Sequence, residues 1–335
     1  MRKTMDKDQT IVAHTRRHII GSVGALTGAA LLPGLSGGAA MARAASPSWP
    51  PGLQLYTLGD AAKTDLEGTL RQVAQIGYRE VELPGPYGRQ PAELRRAIQK
   101  AGLRCPAIHV VPEATPDAWH LEGDIPALAA NIRALGASRA VVAIAPFPER
   151  VREALSHPPA GGYDMDALDK LVRTLTADDW KRAADLLNDR ATRLAKSGVG
   201  LAYHNHAFEF LPLAGGGTGY DLLLARTDPA LVSFEMDVGW VAAAGQDVVE
   251  LLTRVGRRVT MMHMKDVAAV STNSMEMAPA DVGAGIVPWE ALKGLIQRFD
   301  IQHLFVEQEP PFPNSPLASA NTAFTYLSGL FAKRR

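Results

Sequence analysis

Cysteine is nearly absent. Cys105 is the only one in 335 residues, so no intrachain disulfide can form even in an oxidising compartment. That lone thiol reads as a small buried apolar side chain rather than a nucleophile. Net charge is absent as well, with 35 basic residues balancing 35 acidic ones. The balance excludes a broad basic field for nucleic acid or an anionic membrane, and an acidic tail for a polybasic partner. A small molecule is the expected partner. Aromatics are few, and no internal repeat or low-complexity tract lies beyond the first 45 residues. A Gly-rich phosphate turn after the first apolar run is also missing, since Leu58-Gly59-Asp60 is not one, and this disfavours a doubly wound dinucleotide fold.

What the chain does have is 47% apolar content, enough for one large domain or two ordinary ones. Residues 1–45 read as a targeting segment. A polar stretch from Met1 to His14 precedes Thr15-Arg16-Arg17-His18-Ile19-Ile20, then a weakly apolar Gly/Ala/Leu run, then Ala42-Arg43-Ala44. That order matches a twin-arginine signal peptide cleaved near Ala44, with Ile at the usual aromatic position. Gly and Pro interrupt the apolar run, so cleavage is expected rather than a stable membrane anchor. The expected location is periplasmic. The twin-arginine export machinery is the expected partner in transport, and this route carries proteins already folded, which agrees with a cofactor inserted beforehand.

From Gly52 onward, short apolar runs alternate with helical patterns. The runs are Leu53–Tyr56, Arg79–Leu83, Arg104–Val110, Arg139–Ala143, Gly200–Tyr203, Val232–Met236, Val259–His263 and His303–Val306. Between them, apolar residues recur at three- and four-residue spacing, as in Leu66-Leu70-Val73-Ile76. Gly77, Gly102, Gly136 and Gly198 stand where helices would stop. Eight alternations over residues 50–335 predict an α/β fold, a single-domain (β/α)8 TIM barrel. Pro146 to Asp179 reads as an elaborated loop after the fourth strand. Asp266 to Pro288 reads as a second, with Gly283-Ala284-Gly285 a weak signal for phosphate. Both leave the rim where ligands bind, so both are candidate lids.

Polar residues at the strand ends carry the chemistry. Asp237, His263 and Glu307 end the last three strands, where barrel side chains converge, and two carboxylates with an imidazole there make a divalent-metal site. His204 and His206 follow the fifth strand on one face, with Asn205 on the other. One histidine would complete the metal site and the other would act as base; hydrogen bonding to loop backbone is the bland alternative. Asp237 alternatively caps the next helix, Trp240 either stacks on a ring-shaped ligand or packs on Phe210, and Lys265 either steadies an oxyanion or pairs with Asp266 or Asp281. Glu309 would orient Glu307. Gln54 and Tyr56 on one face of the first strand, Glu82 after the second and His109 after the third would form the remaining wall, although Glu82 alone reads equally well as a loop cap.

The motifs Gln54-Leu55-Tyr56, Gly77-Tyr78-Arg79-Glu80-Val81-Glu82-Leu83, Tyr203-His204-Asn205-His206, Met236-Asp237-Val238-Gly239-Trp240, His263-Met264-Lys265-Asp266, Val282-Gly283-Ala284-Gly285 and Val306-Glu307-Gln308 resemble the xylose isomerase-like barrels of the sugar phosphate isomerase/epimerase group. Inosose dehydratases, ketose 3-epimerases and endonuclease IV are relatives of that group. The resemblance implies a divalent ion (Mn, Zn, Co or Mg) held by His204, Asp237, His263 and Glu307. Epimerases of the group carry glutamate at the fifth strand end, where this chain has His204, with Glu209 a few residues later as the other candidate ligand. The change puts a two-glutamate proton exchange in doubt and makes His206 the better base, with Glu307 and Lys265 sharing the catalysis. Gln54, Tyr56, Glu82, His109 and Trp240 are the expected substrate contacts.

No basic phosphate cluster marks the rim, and phosphorylated sugars are chiefly cytoplasmic. The expectation is therefore a metal-dependent isomerase or epimerase acting through an enediolate on a non-phosphorylated sugar, cyclitol or keto-sugar. The alternative is a lyase or dehydratase of a 3-keto-glycoside or inosose. A phosphodiester hydrolase and a non-catalytic sugar-binding barrel rank lower. Homo-oligomerisation stays open.

Overall fold

Eight parallel strands hydrogen-bond side by side, each followed by helix, in a computed structural model that describes residues 51–115, 117–156 and 162–332. The signal-peptide expectation lies outside the described residues. The strands are β1 Gly52–Gln54, β2 Glu80–Glu82, β3 Ala107–Val110, β4 Arg139–Val142, β5 Gly200–His204, β6 Val232–Asp237, β7 Val259–Met264 and β8 His303–Val306. Their lateral order is β2-β1-β8-β7-β6-β5-β4-β3. All eight expected runs are strands, and the (β/α)8 TIM barrel stands. Between β2 and β3 the ring closes through isolated bridges, Glu80 to Arg104 and Leu83 to Ile108. The ladder is thin there because Pro106, just before β3, has no N–H to donate.

Strand alternation sorts the side chains into two sets. Outward residues such as Leu53, Val81, Ile108, Leu201, Phe234 and Met262 pack under the helices in the main core. Inward residues Ala107, Val141, Ala202, Met261 and Phe305 form a separate buried plug within the barrel. Gly52 belongs to this layer, since a Cβ there would lie 2.5 Å from the Phe305 ring. Helices stop where expected: Gly77, Gly102, Gly136 and Gly198 all have positive φ, which glycine adopts without steric cost. Cys105 is buried, and burial pushes its thiol pKa well up, leaving it inert.

Three expectations change. Tyr56 is not on β1, because the strand ends at Gln54 and Leu55–Leu58 form a 3-10 turn whose start is capped by the Gln54 side chain. The segment from Pro146 to Asp179 is not a plain loop. It contains helices Glu149–Ser156 and Met165–Val172 and the start of Ala177–Ala195, with Arg150 donating to the Asp179 carboxylate at 2.7 Å across it. Gly283 and Gly285 do not form a phosphate cradle. Their amides donate to the Asp266 carboxylate, which also accepts from the Val267 and Val287 amides and the Trp289 indole, at 2.8–3.2 Å. Among the described residues, no helix is long and apolar enough to cross a membrane.

Candidate active site

Above the apolar plug, the inward positions of the strands turn polar. Gln54, Glu82, His109, His204, Glu235 and His263 occupy one layer, and Asp237, Lys265, Glu307 and Glu309 lie one pleat further out. Local contacts fix each one. Asn205 on the far face of the chain accepts from the Asp237 amide at 3.2 Å and donates to its carbonyl at 3.3 Å, tying the tips of β5 and β6 together. The Asp237 carboxylate divides its two oxygens: Oδ1 caps the next helix by accepting from Trp240 N–H at 2.9 Å, and Oδ2 faces the site. The helix-cap reading of Asp237 holds, and its second oxygen is left toward the site. Gln308 N–H donates to Thr57 at 3.0 Å and anchors the end of β8.

His263 is the hub. Its Nε2 lies 2.8 Å from Glu82 and 3.2 Å from Glu235, while Nδ1 lies 3.0 Å from Glu307 and 3.7 Å from Asp237. His109 Nε2 lies 3.2 Å from Glu82 and 3.3 Å from Glu235, and His204 Nδ1 lies 3.1 Å from Glu235. The Lys265 ammonium sits among Asp237 at 3.0 Å, Glu307 at 2.6 Å and Glu309 at 2.7 Å. It does not pair with Asp266 or Asp281, and Glu309 holds Lys265 rather than orienting Glu307. Gly239 makes room for this lysine, because a Cβ there would come within 2.7 Å of Lys265 Cγ.

Glu82 is no loop cap; its carboxylate also accepts from Gln54 at 2.8 Å. Glu209 is not a ligand. It is fully buried, accepting from the Tyr203 hydroxyl at 2.7 Å and the His206 amide at 3.0 Å. Trp240 meets the His206 ring at 5.3 Å between centroids, whereas Phe210 stacks on Tyr220. Glu235 is the residue that sequence reasoning missed. Its signal was the two-residue alternation leading back from Asp237 along β6.

Burial works against charge at every one of these groups, and neighbours decide the outcome. Burial opposes protonation of His109, but Glu82 and Glu235 outweigh it and raise the pKa to about 9. Burial is likewise overcome at His263, held well above the usual range by Glu235 and Glu307. Lys265 is held up against burial by Asp237, Glu307 and Glu309. The carboxyls of Glu235, Asp237 and Glu307 are held down despite burial, by His263 in the first case and Lys265 in the other two. Burial, reinforced by His263, lowers His204. Burial, reinforced by His204 and Lys265, drives His206 well down, so its imidazole is neutral.

A cavity of about 290 Å³ opens above this cluster, with Tyr56, His109, His204, His206, Trp240 and Lys265 on its walls and Glu307 and Glu309 beside them. Tyr56 thus reaches the site from its turn rather than from a strand. Donor atoms of Asp237, His263 and Glu307 lie within 4.8 Å of one another, as do those of His109, His204, Glu235 and His263. His204 therefore falls with the deeper group, and its Nε2 stays 3.9 Å from Asp237 Oδ2. Among the described residues, Glu82 Oε1 and Glu235 Oε1 are buried without a hydrogen-bond donor, and Asp237 Oδ2 has only the Lys265 ion pair and the more distant imidazoles. Five carboxylates, those of Glu82, Glu235, Asp237, Glu307 and Glu309, crowd around His109, His263 and Lys265. Buried carboxylate oxygens left without a donor require a partner. This donor set fits a divalent metal.

A parallel barrel with a buried carboxylate–imidazole cluster at the C-terminal rim of its strands has the architecture of TIM-barrel enzymes. The chain belongs to the xylose isomerase-like TIM barrel family, whose model matches residues 70–326. It is 31% identical over 209 residues to the rhizopine catabolism protein MocC of Rhizobium meliloti, covering 61% of this chain and 58% of that one. It is 27% identical over 213 residues to an inosose dehydratase of Geobacillus kaustophilus, covering 63% of this chain and 64% of that one. The chain thus spans under two thirds of the length of these two relatives. A crystal structure of a sugar phosphate isomerase/epimerase from Parabacteroides distasonis superposes with a TM-score of 0.65 at 24% identity, covering 83% of this chain and 96% of that one.

Proposed function

We propose that the chain is a metal-dependent lyase that dehydrates a non-phosphorylated polyhydroxylated ketone, of the inosose or keto-sugar class, after export by the twin-arginine route. The observation carrying this reading is the isolation of His206. Of the imidazoles and carboxylates that line the cavity, His204, His109, Glu307 and Glu309 are each engaged by an opposite charge or a hydrogen-bonding partner. Among the described residues, the His206 ring makes ring contacts with His204, Phe208 and Trp240, and its Nδ1 has no hydrogen-bond partner. One unengaged base suits elimination, whereas epimerisation requires a proton acceptor on each face of the carbon.

In this reading His206 accepts the proton next to the carbonyl, the C–H electron pair forms the enolate, and the enolate expels the hydroxyl on the next carbon. That hydroxyl leaves as water by taking a proton from an imidazolium, with His109 placed on the same cavity wall. Asp237, His263 and Glu307 would hold the metal, which supplies Lewis-acid polarisation of the carbonyl when bound. Lys265 keeps Asp237 and Glu307 ionised and places positive charge beside the developing oxyanion. Trp240 and Tyr56 line the cavity with their rings, beside the polyol. The inosose dehydratase relative points to the same reaction class.

The test is incubation of the manganese-supplemented protein with an inosose and with a 3-keto-glucoside in deuterated water. Loss of water, or of the glycosidic alcohol, with His206→Gln slowed by at least about a hundredfold, is the expected result. Deuterium returned to an isomer or epimer without elimination would replace the lyase reading with the isomerase one. No exchange with any ketone while metal is bound would end both.

A further inference from the structure

At the opposite end of the barrel, a second cavity of about 620 Å³ opens between the starts of β4, β5, β6 and β7. Its chemistry is one-sided. Arg139, Arg257 and Arg258 line it, and no carboxylate does. Several other arginines of the fold are paired, as Arg104 is with Glu80, Arg226 with Asp185 and Arg254 with Asp221. The half-buried Arg139 guanidinium has no hydrogen bond or ion pair among the described residues. Gly200 keeps its seat open, since a Cβ there would approach Arg139 Nη1 to 3.0 Å.

Arg258 shows what an arginine with a structural role does at this end. Its terminal nitrogens donate to the Leu224 and Val232 carbonyls and to Thr227, at 2.6–3.0 Å. Its Nε and the Thr260 hydroxyl nevertheless remain buried without partners. Free donors and positive charge therefore converge on a concave space, and burial, uncompensated by any carboxylate, disfavours charge on Arg139. A half-buried guanidinium without a partner gains when an acceptor meets it, and a planar fork of N–H donors matches a carboxylate or phosphate.

We infer that this cavity binds a small molecule through an oxyanion group, a carboxylate or a phosphate, with Arg139 as the principal contact and Arg257 and Thr260 beside it. The volume lies within the range of small-molecule sites, so the anionic group belongs to a molecule larger than the bare ion. The inference is independent of the rim chemistry, because none of the rim residues lines this cavity.

Calorimetric titration of the chelator-treated full chain with inorganic phosphate and with succinate, at ionic strength fixed with chloride, tests it. One probe is expected to bind at a single site, the preferred probe separating phosphate from carboxylate. Arg139→Gln should weaken binding at least about tenfold, Thr260→Val a few-fold, and Glu307→Gln at the far rim not at all. Binding no stronger than the chloride control, or full affinity in Arg139→Gln, overturns the inference. Should Arg139→Gln fail to fold, Arg257→Gln and Thr260→Val decide it: loss of affinity in both supports the site, and wild-type affinity in both rejects it.

Discussion

Replacing Lys265 with methionine removes one positive charge from the most charged place in the molecule while keeping the length of the side chain. The ammonium lies within 3.0 Å of carboxylate oxygens on Asp237, Glu307 and Glu309, and Lys265 is fully buried. Deleting one partner of a buried ion cluster costs roughly 3–5 kcal/mol, because the remaining charges lose their compensation. Glu309 is partly exposed, so the lower part of that range is expected. At about 2 °C per kcal/mol for a barrel of this size, melting should fall by about 6–8 °C in the presence of a chelator. A divalent cation at a hundred times its dissociation constant adds about 2.7 kcal/mol to whichever protein binds it, so manganese or zinc should raise the melting temperature of both proteins. The assay is thermal and urea denaturation of both proteins, with chelator and with metal, and near-ultraviolet dichroism to confirm that the variant is folded. A chelated variant melting within about 1 °C of wild type would falsify the charge argument. Melting that metal raises in neither protein would refute the proposed seat of the cation.

Two further perturbations probe the layers around the site. Glu209, pushed up to about 7 from an ordinary 4.5 by burial over the pull of Tyr203, binds its proton more tightly in the folded than in the unfolded state. Its contribution is complete below pH 4.5 and is lost as pH rises through about 7. Glu209→Gln should remove a slope worth roughly 3 kcal/mol between those limits, and parallel stability–pH profiles for the two proteins would refute this. Gly239→Ala drives a methyl group against the Lys265 stem. It should cost about 1–3 kcal/mol and weaken metal retention, as read by denaturant midpoint and elemental analysis; an unchanged protein would show that the lysine has slack.

The barrel was legible because eight strands and their glycine stops are local patterns, each visible within about ten residues. Asp237, His263 and Glu307 were legible for the same reason, as polar residues ending apolar runs. Glu235 was not. It sits between Phe234 and Met236 inside a strand, where a carboxylate reads as an interruption until the facing strands supply His109, His204 and His263. Lys265 was visible, but its partners were not, because Glu309 and Glu307 lie more than forty residues away. The Gly283-Ala284-Gly285 motif misled in an instructive way. Its amides do bind an anion, but the anion is a side chain of the same loop.

That loop has a consequence for how such barrels diversify. A single carboxylate, Asp266, gathers five donors spread from Val267 to Trp289, so both ends of the stretch are held at one point, while its middle bonds to the helix Met165–Val172 through Asn273 to Asp166 and Ser274 to Asp169. A segment built this way behaves as a cassette. Its middle, residues 268–278, meets neighbouring helices rather than strands, so the two can change together while both ends stay stapled to one point, which lets the mouth of the site be rewritten without disturbing the strands beneath it.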